Sequence, residues 1–266
     1  MQTVEEKPTA TVYLMTTRGS GVQATRADAS AAAAPPREPD RIAELMGWVF
    51  DQLPIQRRLV HCGDTVSSAG NPCKHLYVVN AGSFKVVNTS PEGHGQVVGL
   101  NFRGDWLGFD GIATGRYCCD TVSMDTGEVW ALRYDVLLHA CIAQPGLLAW
   151  LHTEMSREIQ RGRECLLSIC SLPVRARVAS FLCRWAESMA VRGQRADQIT
   201  MRLTRAEIGS YLGMTVESVS RALSSLERGS MIRFTENGRR DIVIPDPLAL
   251  TGFIRDHSRS ASTAEQ

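Results

Sequence analysis

The spacing of hydrophobic and polar positions changes several times along the chain, and each change predicts a different element. Residues 1–39 are rich in Ala, Thr, Ser and Pro, end in Ala31-Ala-Ala-Ala-Pro-Pro-Arg and carry little amphipathic order, which predicts a disordered tail. Ile42, Leu45, Met46 and Val49 then fall at helical spacing, predicting a short helix after Asp40. From Gln56 to about Leu132, short apolar runs such as Leu76-Tyr-Val-Val and Val97-Val-Gly-Leu alternate with Gly63-Asp64, Gly70-Asn71, Ala81-Gly82, Glu92-Gly93, Gly104-Asp105, Gly108 and Gly115. Strand-like runs separated by regular turn signals predict an antiparallel barrel or roll.

Beyond the roll the period lengthens. From about Pro145 to Cys170, Leu148, His152, Met155, Ile159, Gly162, Leu166 and Ile169 recur in alternating steps of four and three, the pattern of a heptad seam. Such a stripe either packs on its own domain or meets a second copy of the helix. Pro173 ends this helix, and a further one is predicted over Val174 to Ala190.

Two short helices with a tight turn are predicted between Leu203 and Arg228. Thr204 and Glu207 form a capping box that starts the first at Arg205. It buries Ile208 and Leu212 and stops at Gly213, the residue best able to turn left-handed. Thr215 caps the second, which runs to Gly229 with Val219, Ala222, Leu223 and Leu226 on one face and Glu217, Ser220, Arg221, Ser224 and Arg228 on the other. This polar face has the chemistry to read base edges: Arg pairs with guanine, Glu accepts from the cytosine amino group and Ser approaches thymine. Taken alone, the same helix also fits a surface position with a solvated face. The residues C-terminal to the helix favour DNA. Met231–Thr235 and Arg240–Ile244 alternate around Asn237-Gly238, the signature of a tight hairpin, with Arg239-Arg240 expected at its tip within reach of phosphate. Helix, turn, helix and hairpin make a winged helix-turn-helix.

Composition and charge sharpen this picture. A length of 266 residues predicts two domains with tails, and 44% hydrophobic residues suffice for a buried core. The net charge is only +1, yet residues 172–240 hold 12 arginines against 6 acidic residues, so the basic surface coincides with the helix-turn-helix. No apolar run approaches the roughly 20 residues of a membrane span. The first residues lack the features of a secretory signal, so the protein is expected in the cytoplasm with its eight cysteines reduced or ligating.

The segment 203–240 resembles the DNA-binding domain of the FNR/CRP family of bacterial transcription regulators. Val216-Glu217-Ser218-Val219-Ser220-Arg221 is similar to the Glu-x-x-Ser-Arg signature of the FNR branch, and Gly104-Asp-Trp-Leu-Gly-Phe-Asp is similar to an FNR-type run in the roll. The resemblance covers roughly residues 40–250. It implies an eight-stranded β-roll, and parallel dimerisation through the long helix, so that two copies read a palindrome. Glu217 and Arg221 would read a C·G pair and Ser220 the adjacent T·A pair in a TTGAT-type half-site, with Arg205, Thr215 and Ser218 on phosphates. The expected architecture is α+β: a tail over 1–39, a β-roll sensor over 40–142, a dimerisation helix over 143–171, a winged helix-turn-helix over 172–250 and a tail over 251–266. Expected partners are double-stranded DNA, a second copy and RNA polymerase.

The resemblance also raises the question of an effector. Family members that bind cyclic nucleotides use a Glu for the ribose and an Arg-Ser or Arg-Thr pair for the phosphate; here Phe109 and Cys118-Cys119 align with them. Phenylalanine accepts no hydroxyl and thiols neutralise no phosphate, so this ligand is not expected. A conventional [4Fe–4S] cluster is not expected either, because no cysteine precedes Cys62 and Trp130 aligns with the fourth ligand. His61, Cys62, Cys73, His75, Cys118 and Cys119 remain candidates for an unconventional cluster, haem ligation or a thiol switch, beside their plainer role as small filler. Cys165, Cys170 and Cys183 fit helical patterns as filler. A regulator that needs no effector is a further reading. The rivals are a metal-binding or enzymatic roll with an incidental winged helix, and a non-specific architectural DNA protein. Against the first, the chain has no nucleophile elbow, phosphate loop or His-Glu-x-x-His; against the second, Glu217 would repel phosphate.

Overall fold

The computed structural model describes residues 49, 52–191, 193, 195–235 and 238–263. The expected tail 1–39, Ile42, Leu45 and Met46 of the expected first helix, and Asn237 of the hairpin turn lie outside them. Val49 is helical and buried.

Eight strands form the roll: β1 (Gln56–Val60), β2 (Thr65–Ser67), β3 (His75–Ala81), β4 (Ser83–Thr89), β5 (Gly95–Phe102), β6 (Trp106–Leu107), β7 (Asp120–Ser123) and β8 (Gly127–Arg133). They pair antiparallel in two four-stranded sheets, ordered β1-β8-β3-β6 and β2-β7-β4-β5. The seven glycines that marked turns in the sequence all have positive φ. At Gly82 the need is also steric, because a Cβ there would come within 2.9 Å of the Gly127 Cα.

β3 explains why the run Leu76-Tyr-Val-Val is apolar throughout rather than alternating. Tyr77 and Val79 face the core between the sheets, with Phe84, Leu107 and Val129. Leu76 and Val78 face the opposite side, where helices cover the sheet. A strand buried on both faces has no polar side to show.

Two helices supply that cover, α1 (Tyr134–Ala143) and α2 (Pro145–Ser171), the second with proline in its first turn, where the missing N–H costs nothing. Leu147, Trp150 and Leu151 of α2 pack with Leu76, Trp106 and Leu132 of the roll. The chain breaks at Pro173 and continues as α3 (Val174–Val191).

The C-terminal domain comprises α3, β9 (Gln198–Thr200), α4 (Arg205–Leu212), α5 (Val216–Arg228), β10 (Arg233–Thr235), β11 (Gly238–Val243) and α6 (Pro247–Thr263). Three elements depart from the sequence reading. β9 was not expected; it joins the wing as a third strand against β11. The boundary expected at 250, with a tail beyond, falls inside α6, which runs to Thr263. Leu250 is fully buried on the domain core and Phe253 and Ile254 pack beside it, so their spacing of three and four makes this segment part of the domain. Arg240 lies within β11 rather than at the hairpin tip, its carbonyl accepting the Met201 N–H at 2.7 Å.

Roll and C-terminal domain touch directly. Lys85 of β4 pairs with Glu207, the Gln96 side chain donates to the Ser210 carbonyl, and the Val97 N–H donates to Ser210 Oγ at 3.0 Å. Phe102 of β5 meets Trp185 of α3 edge to face at 5.0 Å.

Candidate DNA interface

The start of α4 is fixed by reciprocal bonds. The Glu207 N–H donates to Thr204 Oγ1 at 3.2 Å and the Thr204 N–H donates to Glu207 Oε2 at 2.7 Å. The helix ends at Gly213 with φ 62°. Gly209 is the less obvious requirement, since a Cβ there would sit 2.6 Å from the Met214 carbonyl oxygen. Only glycine lets the inter-helix turn approach α4 this closely, and nothing in the local hydrophobic pattern identifies it. α5 begins where the Ser218 N–H donates to Thr215 Oγ1 at 3.2 Å.

The two faces of α5 divide cleanly. Val219, Ala222, Leu223 and Leu226 are buried. Glu217, Arg221 and Arg228 are exposed or half-exposed at the surface, and Ser220 and Ser224 half-buried. Its own backbone N–H, the Thr215 side chain and the nearby Arg221 charge hold the Glu217 carboxyl below the usual carboxylate range, so near neutral pH it is an acceptor only. Ser220, Arg221, Ser224 and Arg228 line an open groove of 540 Å³ between α5 and the start of α3.

Of the five phosphate candidates, Thr215 and Ser218 stand at the start of α5 beside this face, the Thr215 hydroxyl donating to Ser218 Oγ at 3.1 Å. Arg205 lies elsewhere, with Cζ 5.8 Å from the Phe234 ring centroid of the wing. Arg240 lines a cleft facing the roll together with Cys62, Lys85 and Glu207. The Arg239 side chain is outside the described residues. Arg175 was missed by the sequence reading. It sits in the first turn of α3 and lines the same groove as Arg221, its Cζ 5.4 Å from the Phe253 ring centroid. An arginine at a helix N-terminus opposes the helix dipole, and that conflict was the available signal.

None of the seven seam positions of α2 is fully buried in the chain's own core, and five of them lie exposed. Leu148, Ile159 and Leu166 are 38%, 54% and 62% exposed, His152 and Gly162 are at the surface, and Met155 and Ile169 half-buried. The helix buries different positions, Leu147, Trp150, Leu151, Glu154, Cys165 and Ser168, against its own chain.

The effector candidates in the roll make contacts of another kind. Phe109, in the 3-10 turn Phe109–Gly111, stacks on Trp106 at 5.8 Å, and Trp106 meets Trp150 of α2 edge to face at 5.2 Å. Cys118 and Cys119 both turn their N–H groups to one oxygen of Asp110, at 2.7 and 3.0 Å. Tyr117, buried beside them, donates its hydroxyl to the His75 carbonyl at 2.7 Å. Asp110 is the residue that sequence reasoning overlooked here.

Among the described residues no group of three or more His, Cys, Asp and Glu side chains is arranged to hold a metal ion. Cys62 lines the cleft to the C-terminal domain, whereas Cys73 Sγ points to the Gly108 carbonyl at 3.7 Å and Cys118 Sγ to that of Asp110 at 3.3 Å. Burial raises the Cys73 thiol and pushes Cys119 up to about 11, and the Asp110 charge adds to both. Burial and then the Arg133 charge lower the His75 imidazole.

Residues 176–253 match a family model described as a Crp-like helix-turn-helix domain, and residues 57–144 one described as a cyclic nucleotide-binding domain. The transcriptional regulatory protein btr of Bordetella pertussis is 30% identical over 203 residues, 76% of this chain and 84% of that protein. The fumarate and nitrate reduction regulatory protein of Escherichia coli is 28% identical over 183 residues, 69% and 73% of the two chains. Among solved structures, FixK2 from Bradyrhizobium japonicum superposes with a TM-score of 0.67 at 22% identity, covering 75% of this chain and 97% of that one, a likeness of fold.

Proposed function

The chain belongs to the CRP/FNR family of transcription regulators with a helix-turn-helix DNA-binding domain, and from that premise we propose that it acts in the cytoplasm as a two-fold dimer on a TTGAT-type palindrome, where it meets RNA polymerase. The observation that carries the proposal is the outward face of α5: a capped helix presenting an ionised Glu217 one turn from Arg221, with Ser220 beside it, over an open groove. Glu217 and Arg221 can take opposite bases of one C·G pair, and Ser220 the neighbouring thymine. Thr215, Ser218 and Arg175 surround that face as phosphate contacts, while Arg205, Arg239 and Arg240 supply general basic charge.

Dimerisation rests on the exposed stripe of α2. Leu148, Ile159 and Leu166 lie exposed along one stripe of a helix that packs its other side, and a parallel partner would cover them with the same residues. Neither a cyclic nucleotide nor a conventional [4Fe–4S] cluster is part of this reading: Asp110 already accepts from the Cys118 and Cys119 N–H groups, and Trp130, whose indole supplies no thiolate, aligns with the fourth cluster ligand.

The test is a gel shift with a TTGAT-N4-ATCAA duplex against a scrambled duplex of equal length. Specific binding of the palindrome by a dimer is expected, with affinity falling steeply as salt rises. Equal affinity for both duplexes at every salt concentration would refute sequence reading.

A further inference from the structure

Two consecutive backbone N–H groups pointing at one spot form a concavity that takes an anion. In this roll the spot is filled from within, because one Asp110 carboxylate oxygen accepts from both Cys118 and Cys119 while the Asp110 carbonyl accepts the Cys118 thiol. The carboxylate thereby joins the strand-connecting segment before β7 to the 3-10 turn Phe109–Gly111. Phe109, the first residue of that turn, stacks on Trp106, and Trp106 abuts Trp150 of α2. Trp150 and Leu151 are buried on the roll side of α2, within one turn of Leu148 in the exposed stripe. An unbroken line of packed and hydrogen-bonded groups therefore runs from the anion concavity to the helix face on which a second copy docks.

We infer that Asp110 is a built-in anion: it occupies the concavity of a cyclic nucleotide-binding-like roll and, through Phe109, Trp106 and Trp150, holds α2 ready to dimerise, so that DNA binding requires no phosphate-bearing effector. The inference rests on the dimeric DNA-binding reading above and adds the state of its control. Asp110 itself is exposed, so a small anion can reach the amides once its side chain is removed.

The experiment measures dimerisation of the full chain by sedimentation equilibrium, and palindrome binding by gel shift, for the wild type, Asp110→Ala, Asp110→Asn and Phe109→Leu. Asp110→Ala loses two charge-assisted hydrogen bonds and is expected to weaken dimerisation about tenfold. Sodium formate should restore most of that loss where sodium chloride of equal ionic strength does not. Asp110→Asn keeps an acceptor oxygen and should retain most of the affinity; Phe109→Leu should weaken dimerisation with Asp110 intact. Wild type should dimerise and bind equally well with and without added cyclic AMP or inorganic phosphate. Normal dimerisation of Asp110→Ala would overturn the inference, as would failure of formate to outdo chloride. A wild type that dimerises only with cyclic AMP or phosphate would overturn it too, whether or not Asp110→Ala folds. A wild type that dimerises but ignores the palindrome would instead sink the DNA reading alone.

Discussion

The helix-turn-helix and the roll each carry a set of polar groups singled out by position, and the two sets behave in opposite ways. In α5, Glu217, Arg221 and Arg228 face outward from a helix whose back is buried and whose start is capped. In the roll, Asp110, Cys118, Cys119, Tyr117 and His75 satisfy one another through backbone bonds. Outward polar groups on a rigid support bind something else; polar groups that have found partners inside the chain hold a shape. The C-terminal domain therefore leaves its polar set free for a partner, whereas in the roll the Cys118 and Cys119 N–H groups, though at the surface, are already taken by Asp110.

The largest way to break this comparison is to disrupt the proposed dimer. Ile159→Glu would put two facing carboxylates into the proposed dimer seam, where desolvation and like charge should cost about 3 kcal/mol, on the order of a hundredfold in dimerisation. Analytical ultracentrifugation should show monomers, and palindrome binding should fall with them. A stable dimer would mean that the exposed stripe of α2 is not the interface.

A second cut goes to the support rather than the contact face. Thr204→Ala removes the α4 cap and should lower stability by about 1 kcal/mol, seen as a lower melting temperature, while sequence preference stays the same. Altered preference without altered stability would contradict the division between support and contact.

Both regions meet at Glu207. Burial alone would raise its carboxyl, but hydrogen bonds from Lys85 and then from the Thr204 backbone and hydroxyl outweigh it and leave it below the usual value. The stabilisation is thus present above the ordinary glutamate value of 4.5 and lost as the pH falls through the lower folded value. Glu207→Gln keeps an acceptor for the cap but loses the ion pair, so it should cost less than about 1 kcal/mol near neutral pH. Its stability should also change less than wild type between about pH 5 and pH 3 in denaturant titrations. Parallel acid profiles for the two proteins would show that the pair contributes nothing.

The smallest effect sharpens the roll side. Cys62→Ser and Cys119→Ser should each change DNA affinity by less than about 0.5 kcal/mol, with no difference between oxidised and reduced protein. A redox-dependent loss of binding abolished by either substitution would restore the thiol switch and end the contrast.

Features set by neighbours in sequence were readable before the fold. The capping box at Thr204, the glycine turns and the faces of α5 depend on residues three or four apart. The α2 stripe follows the same local logic: the positions of the proposed seam and the positions the helix buries on its own chain are different. Features set by distant partners were not. β9 is three residues long and is a strand only because β11 lies beside it. Arg240 was placed at a hairpin tip because the third strand that fixes its register was unknown. The α6 spacing was present in Leu250, Phe253 and Ile254, but a boundary drawn at 250 divided it. Asp110 escaped notice because its carboxylate matters only once residues 118 and 119 fold back onto the 3-10 turn.

The most direct test of the central claim is to measure affinity for every single-base variant of the TTGAT palindrome with wild type and with Arg221→Ala. Arg221→Ala should lose discrimination of roughly 1–3 kcal/mol at the one G·C pair of each half-site, symmetrically, and keep the preferences elsewhere. An unchanged base preference, or a uniform weakening across all positions, would contradict the assignment of Arg221 to that guanine and with it the reading of α5 as the recognition helix.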